Sequence, residues 1–405
     1  MSTFWGGRFA SVLDADDDVC SHIQTKETMK AELAPFLSWS QAQGITTPLK
    51  LVDDGGFRYM ALPDDKDKLQ VSKDSPDLIN VVTVPLEACI VGEDWETMVE
   101  KIKHEKTKEN SKYGPWFDLF PTLEDFQGMP RFWDEKRRDF VRQYDSGQLE
   151  ARMELDQIRF NQVDDPWALA IVDSRSNFLP DNTYSITPML DMFNHKSGVK
   201  TSARVDGANR FLLEVESKSA LGSSETKEES GDWTSQLMGM FGGGEKTNSY
   251  KKGAEVFVSY GNFDNMETLC NYGFVEEDNA SNVETFRVRI MGKAPAFLVV
   301  DPDGSIDNMI NQLSLTDLRV ALATPEEIES LQENWNGMDP ISESNDVEVF
   351  ALCAGELEEA LYDAKAGADV AAEMGDKIVE SYLRGRQRTL ENGRKWLQEK
   401  YPDVF

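Results

Sequence analysis

Pro188-Met189-Leu190-Asp191-Met192-Phe193-Asn194-His195 is followed at a distance by Gly253-Ala254-Glu255-Val256-Phe257-Val258-Ser259-Tyr260-Gly261, and then by Asn271-Tyr272-Gly273-Phe274. In each stretch polar residues stand at the abrupt end of an apolar run, where a scaffold commonly presents groups to a ligand. Val256, Val258 and Tyr260 alternate, which predicts one face of a strand. Asp264 and Glu267 fit the D-x-x-E arrangement that caps a helix N-terminus, and Gly273 is placed to stop that helix in a left-handed turn. The polar residues gathered at strand ends are Arg175, Asp191, Asn194, His195, Tyr260 and Tyr272. Singly, each has a plain structural explanation: a turn for Asn194-His195, a satisfied core imidazole for His195, a β residue before a turn glycine for Tyr260. Residue type and spacing alone name no reaction.

Upstream, Met29, Leu33, Phe36 and Leu37 recur at helical spacing and predict a helix over 26–43. Leu49-Lys50-Leu51-Val52 reads as a strand broken by Asp53-Asp54-Gly55-Gly56, and such paired glycines mark a turn or a close backbone approach. Ile79 to Val84 reads as a second strand that Pro85 ends. From about Asp94 to Gln162 the pattern turns helical, with Phe140, Val141, Tyr144, Leu149 and Met153 apolar among charges. Phe211 to Glu216 reads as a strand of imperfect alternation. Residues 217–250, with Gly242-Gly243-Gly244, have linker composition and predict a mobile loop. Within it Trp233, Leu237, Met240 and Phe241 form a small apolar cluster. The last 120 residues read as chiefly helical, with Phe350, Cys353, Leu357 and Leu361 on one stripe and Ile378, Tyr382, Leu390 and Leu397 on another.

The chain has 405 residues, enough for two or three cooperating domains, and 40% hydrophobic residues are enough to build cores. No apolar run approaches the roughly 18 residues a membrane span needs. A formal charge of −31 argues against holding nucleic acid through phosphates and would attract a basic protein. Four scattered cysteines without a C-x-x-C point to a reducing compartment, and the acidic N-terminus is unlike a transit peptide, so cytoplasm or nucleus is expected. Three scattered histidines are too few for a metal site. Neither a phosphate loop of the G-x-x-x-x-G-K type nor a G-x-S-x-G nucleophile elbow is present.

The combination is more specific than its parts. It resembles the SET-domain protein methyltransferases, in the branch of Rubisco large-subunit lysine methyltransferase. That family shows Ser-Arg, then Pro-x-x-Asp-x-x-Asn-His, then Gly-Glu-x-(apolar)-x-x-Tyr-Gly, then Asn and Tyr-Gly-Phe. Here these stand as Ser174-Arg175, Pro188 to His195, Gly253 to Gly261, Asn265, and Tyr272-Gly273-Phe274, over roughly 165–276.

The resemblance implies an α+β fold: a β-rich SET core with a helical insertion, followed by an all-α C-terminal substrate-binding domain. Its parts would be residues 1–93 and 166–276 for the core, 94–165 for the insertion and 277–405 for the C-terminal domain. It implies S-adenosylmethionine as cofactor, contacted by Asn194, His195 and Tyr260 and by backbone at Gly55, Gly56 and Phe57. Tyr260 matches the catalytic tyrosine, while Arg175, Asp191 and Tyr272 border the channel for the acceptor nitrogen, and no metal takes part. The implied activity is methylation of a lysine on a protein substrate, by a monomer with no nucleic-acid or membrane partner.

Two positions depart from the pattern. Arg58 follows Gly55-Gly56-Phe57 where the family has a small second glycine, which leaves a SET-fold interaction module of little or no activity as an alternative. Asn177 stands where lysine-directed members carry an apolar or aromatic residue. It resembles instead the subgroup that methylates a histidine of actin, although Leu190 and the Tyr-Gly-Phe do not.

Overall fold

The computed structural model describes residues 26–54, 57–64, 78–220, 253–331 and 335–404. Gly55, Gly56 and the apolar cluster from Trp233 to Phe241 therefore lie outside the described residues. Among the described residues ten strands follow in order: β1 (Lys50–Asp54), β2 (Phe57–Ala61), β3 (Leu78–Pro85), β4 (Ile90–Gly92), β5 (Ser176–Phe178), β6 (Tyr184–Ile186), β7 (Thr201–Val205), β8 (Arg210–Glu216), β9 (Glu284–Val288) and β10 (Ala296–Val300). They form small antiparallel sheets ordered β1-β2, β3-β8-β7, β4-β6-β5 and β10-β9.

The imperfect alternation of β8 has a physical cause. It is the middle strand of its sheet, and Phe211 to Val215 are buried without a break. A strand covered on both faces reads as a continuous apolar run. Glu214, the polar member, is buried against Arg204 at 3.1 Å. A register shift between Asn80 and Val82 further disturbs the pattern in β3.

The helical reading of 94–162 corresponds to helices Trp95–Thr107, Gly114–Phe117, Glu135–Tyr144 and Gln148–Phe160, and helix Pro166–Arg175 then leads back into β5. The C-terminal region is dominated by helices Glu343–Met374 and Lys377–Lys400 but is not all-α as expected: the hairpin β9–β10 lies within 277–405 and packs against those helices, its buried strand period being masked by the polar Glu284. Phe350, Cys353, Leu357 and Leu361 are all buried there, as the stripe predicts. Three apolar cores result. One fills the β-rich part, from Leu33 to Val258. One lies between β9–β10 and the C-terminal helices. The third joins Val141, Leu149 and Met153 to Leu269 and Cys270 and to Val379, Tyr382 and Leu383.

Two local expectations are corrected. Residues 256–260 form no strand: Val256 and Val258 are buried as alternation predicts, yet pairing is limited to isolated bridges at Glu255 and Val258. Their partners are short remote segments, so no ladder propagates. Secondly, the loop expected from 217 begins with a turn of helix, Ser217–Ala220, with Ala220 buried in the first core.

Candidate functional site

The stretches quoted at the outset meet side by side. Val258 donates its N–H to the Asn194 carbonyl at 3.0 Å, and Lys196 donates to the Val258 carbonyl at 3.0 Å, a parallel bridge between remote parts of the chain. Two residues beyond Val258, the Tyr260 N–H donates to His195 Nδ1 at 3.0 Å. A backbone amide can only donate, so Nδ1 must be unprotonated and the neutral ring carries its proton on Nε2. Nε2 is buried without a hydrogen-bond partner, 3.8 Å from a Glu276 carboxylate oxygen. Burial holds the His195 pKa below the ordinary imidazole value, against the pull of Glu276. His195 is therefore a neutral acceptor that fixes the backbone at Tyr260.

The Tyr260 hydroxyl donates to the Phe193 carbonyl at 2.6 Å. Burial raises its pKa well above the ordinary phenol value, although the nearby Arg175 opposes this. The phenol stays neutral at any physiological pH and is unsuited to be a base. With its proton committed to Phe193, the oxygen keeps lone pairs to accept a hydrogen bond. The Tyr260 ring and three others form a closed circuit: His195–Tyr260 at 5.1 Å, Tyr260–Tyr272 at 4.9 Å, Tyr272–Phe274 at 5.9 Å and Phe274–His195 at 5.9 Å. These spacings are those of packed aromatic pairs, so the ring group is a wall rather than an open cage.

Arg175 ends helix Pro166–Arg175, capped at its start by Asp165, and its Nε lies 3.9 Å from Asp191 Oδ2. Asp191 sits in the turn Leu190–Met192 that follows Met189, a residue at φ 70°. Its Oδ2 accepts from Trp116 Nε1 at 3.0 Å, while Oδ1 is buried without a partner. Burial pushes the Asp191 carboxyl up and the Arg175 guanidinium down, each partner opposing the change in the other. Asn194 donates its side-chain amide to Glu255 at 2.7 Å and to the Arg58 carbonyl at 3.4 Å. Arg58 itself points its guanidinium at Asp53 and the Leu119 carbonyl.

Arg175, Asp191, Asn194, His195, Tyr260 and Tyr272 are thus brought together. Asn177 is set on β5, where its Oδ1 accepts from the Thr187 hydroxyl at 3.0 Å and its Nδ2 is buried without a partner. Phe57 is 59% exposed at the start of β2, its ring 6.0 Å from that of Tyr59. Sequence reasoning passed over Trp116 and Glu276. A signal existed for the first, since Tyr113, Trp116, Phe117 and Phe120 crowd aromatics between charged stretches. Glu276 offered none.

The ring wall depends on one close backbone approach. Gly273 caps helix Asn265–Tyr272 at φ 78°, and the expected capping box of Asp264 and Glu267 is formed at the other end. A Cβ on Gly128 would lie 2.4 Å from the Gly273 carbonyl oxygen. Gly128→Ala is therefore expected to destabilise by roughly 1–3 kcal/mol, the usual cost of overpacking, and to displace Tyr272. Urea unfolding with tyrosine fluorescence checks this, and an unchanged midpoint would refute the contact.

No group of three or more metal-ligating side chains occurs among the described residues. No family model matches the chain, and no curated protein does. Solved structures do. The SET domain of LSMT bound to lysine and AdoHcy matches with a TM-score of 0.60 and 17% identity, over 93% of this chain and 93% of that one. Rubisco LSMT bound to AdoMet matches with a TM-score of 0.58 and 16% identity, over 92% and 93%. Rubisco LSMT bound to sinefungin and monomethyllysine matches with a TM-score of 0.56 and 17% identity, over 92% and 91%. The fold is accordingly that of the LSMT SET domain together with its C-terminal helical region, as the α+β expectation had it.

Proposed function

We propose that this chain is an S-adenosylmethionine-dependent protein methyltransferase acting on a lysine side chain. The observation that carries the reading is the Tyr260 hydroxyl, held by the Phe193 carbonyl beside neutral His195 and the buried Arg175–Asp191 pair. The fold that surrounds this group is the one whose solved examples hold AdoMet, AdoHcy, sinefungin, lysine or methyllysine. The residues fit such a ligand. His195 Nε2 and Asp191 Oδ1 are buried polar atoms left over by the protein's own hydrogen bonds, and such atoms call for a partner.

S-adenosylmethionine supplies a methyl carbon made electrophilic by its sulfonium. Transfer from a sulfonium is an in-line displacement, so the protein's task is alignment. The Tyr260 oxygen, fixed by two bonds through its own backbone and hydroxyl, accepts from the amine or the polarised methyl without reorganising. Asn194 ties β2 to the 253–261 segment on the cofactor side. Arg175 and Asp191 neutralise one another beside the phenol, so the site adds no net charge to repel the sulfonium. Tyr260 remains neutral with its proton committed to Phe193, so it is not the base, and the ammonium proton must pass to solvent before the displacement, which burial of the amine favours. The charge of −31 favours a basic protein substrate.

A histidine acceptor is the second reading, and Asn177 favours it. Its carbonyl oxygen is used by Thr187, which leaves a buried N–H pair free to donate to an imidazole nitrogen. Labelled-methyl transfer into a cell extract, followed by mass spectrometry of the modified peptide, decides between them. S-adenosylhomocysteine at about 100 times its Kd should stabilise the chain by about 2.7 kcal/mol. Absence of any thermal shift at saturating ligand would discard both readings in favour of a SET-fold interaction module.

A further inference from the structure

We propose that Arg58 is a positioning residue that clamps the tip of the β1–β2 hairpin onto the segment 113–121 and so sets the cofactor side of the site, an inference that rests on the methyl-transfer reading. A two-stranded hairpin is marginally stable by itself. At its inner end this one is well fastened: Val256 donates to the Met60 carbonyl at 2.8 Å, Leu62 donates to the Ala254 carbonyl at 2.9 Å, and Lys50 pairs with Asp64 at 2.8 Å. The tip lies at the other end, where Asp54 faces Phe57 across the register. Two bonds that reach from there to the rest of the molecule both use Arg58. Its carbonyl accepts from the Asn194 side chain, and its Nη1 donates to the Leu119 carbonyl at 2.6 Å. Its Nε meanwhile holds Asp53, the residue directly opposite on β1, at 3.0 Å. One guanidinium therefore ties both strands to one external carbonyl.

The anchor itself is rigid. Trp116 donates to Asp191, Trp167 donates to the Pro121 carbonyl at 2.7 Å, and Tyr113 donates to the Cys89 carbonyl at 3.1 Å. Leu119 is buried between these fastenings. A slip at Arg58 would move the carbonyl that Asn194 reads, and Asn194 is the residue whose own carbonyl receives Val258 next to Tyr260. The clamp thus lines up the start of β2, Asn194 and the backbone that leads to Tyr260. An arginine suits the task because its planar fork serves two acceptors in fixed directions, whereas a lysine ammonium is a single flexible point charge.

The full chain is compared with Arg58→Met, which keeps the apolar stem and loses the fork, and with Arg58→Lys, which can hold one acceptor at a time. Three readouts are taken: calorimetric binding of S-adenosylhomocysteine, amide hydrogen exchange over residues 50–61 without ligand, and steady-state methyl transfer as a function of cofactor concentration. Arg58→Met is expected to weaken binding and to speed exchange at the tip, each by roughly tenfold or more, as the loss of a charge-assisted hydrogen bond implies. The cofactor KM should rise in step while kcat at saturation changes little, with Arg58→Lys in between. Exchange at the tip equal to wild type in Arg58→Met overturns the clamp, whether or not ligand binds. So does wild-type affinity in that variant. Failure of the wild-type chain to bind S-adenosylhomocysteine overturns the methyl-transfer reading instead, and exchange then still reports on the clamp alone.

Discussion

Tyr260→Phe is expected to lower kcat by roughly 10²–10³-fold, the usual effect of removing one preorganised hydrogen-bonding group from a reacting centre. The phenyl ring can keep its place between His195 and Tyr272, which lie 5.1 and 4.9 Å away, so binding of S-adenosylhomocysteine should survive. The backbone N–H that His195 receives is untouched by the change. What disappears is the oxygen, and with it the bond to the Phe193 carbonyl. The loss should appear in kcat and in kcat/KM alike, because the interaction belongs to the displacement and not to ground-state binding. The pH profile offers a second check. Burial lifts the Tyr260 pKa far above the working range, so no alkaline limb near the ordinary phenol value should be traceable to it. Tyr272→Phe makes the control: its ring stands in the same wall, and loss of its hydroxyl should cost under about tenfold. Turnover of Tyr260→Phe equal to wild type would end the assignment of this residue.

Legibility of the fold in the sequence followed the range of the interactions. The capping box of Asp264 and Glu267 and the left-handed Gly273 depend on neighbours within a turn, and both are found as read. The stripe from Phe350 to Leu361 depends only on helical period. Alternation at Val256 and Val258 correctly marked burial, yet failed as a strand because the partners are isolated residues from distant segments. The β9–β10 hairpin went unread for a different reason. Its inward positions are Glu284, Phe286 and Val288, and a carboxylate at a buried position disguises the period. The aromatic crowding around Trp116 was visible but not its role, and Leu119 showed no sign at all, because what each does is conferred from outside, by Asp191 and by Arg58. Of the candidate site, the residues at the ends of apolar runs were visible. The residues that hold them were not, since a hydrogen bond across 61 positions, such as Arg58 to Leu119, leaves no trace in local spacing.

That buried carboxylate leads to the largest expected effect on stability. Arg386 on helix Lys377–Lys400 is fully buried and pairs with Glu284 at 2.7 Å, and it also donates to the Thr285 carbonyl at 3.0 Å. Asp145, Asp264, Asn282 and Thr389 complete the polar surroundings, from the end of helix Glu135–Tyr144, the start of helix Asn265–Tyr272, the approach to β9 and the last helix. Arg386→Met should destabilise by roughly 3–5 kcal/mol near pH 8, the cost of leaving one member of a buried pair uncompensated. The loss should depend on pH. Burial raises the Glu284 pKa from 4.5 to about 7, outweighing Arg386 and Asn282, which lower it. A carboxyl raised on folding contributes stability that is complete below 4.5 and is lost as pH climbs through about 7. Without the guanidinium the folded pKa moves higher still, so near pH 6 the variant would bury a neutral acid in place of a bare charge. The urea midpoint of Arg386→Met should consequently recover part of its deficit on going from about pH 8 to pH 6. Glu284→Gln combined with Arg386→Met should recover more at the higher pH, because it removes both charges together. A deficit in the single variant that is the same at both pH values, or absent at the higher one, would mean that the pair is hydrated and that the seam between β9 and the last helix is held by apolar contacts alone.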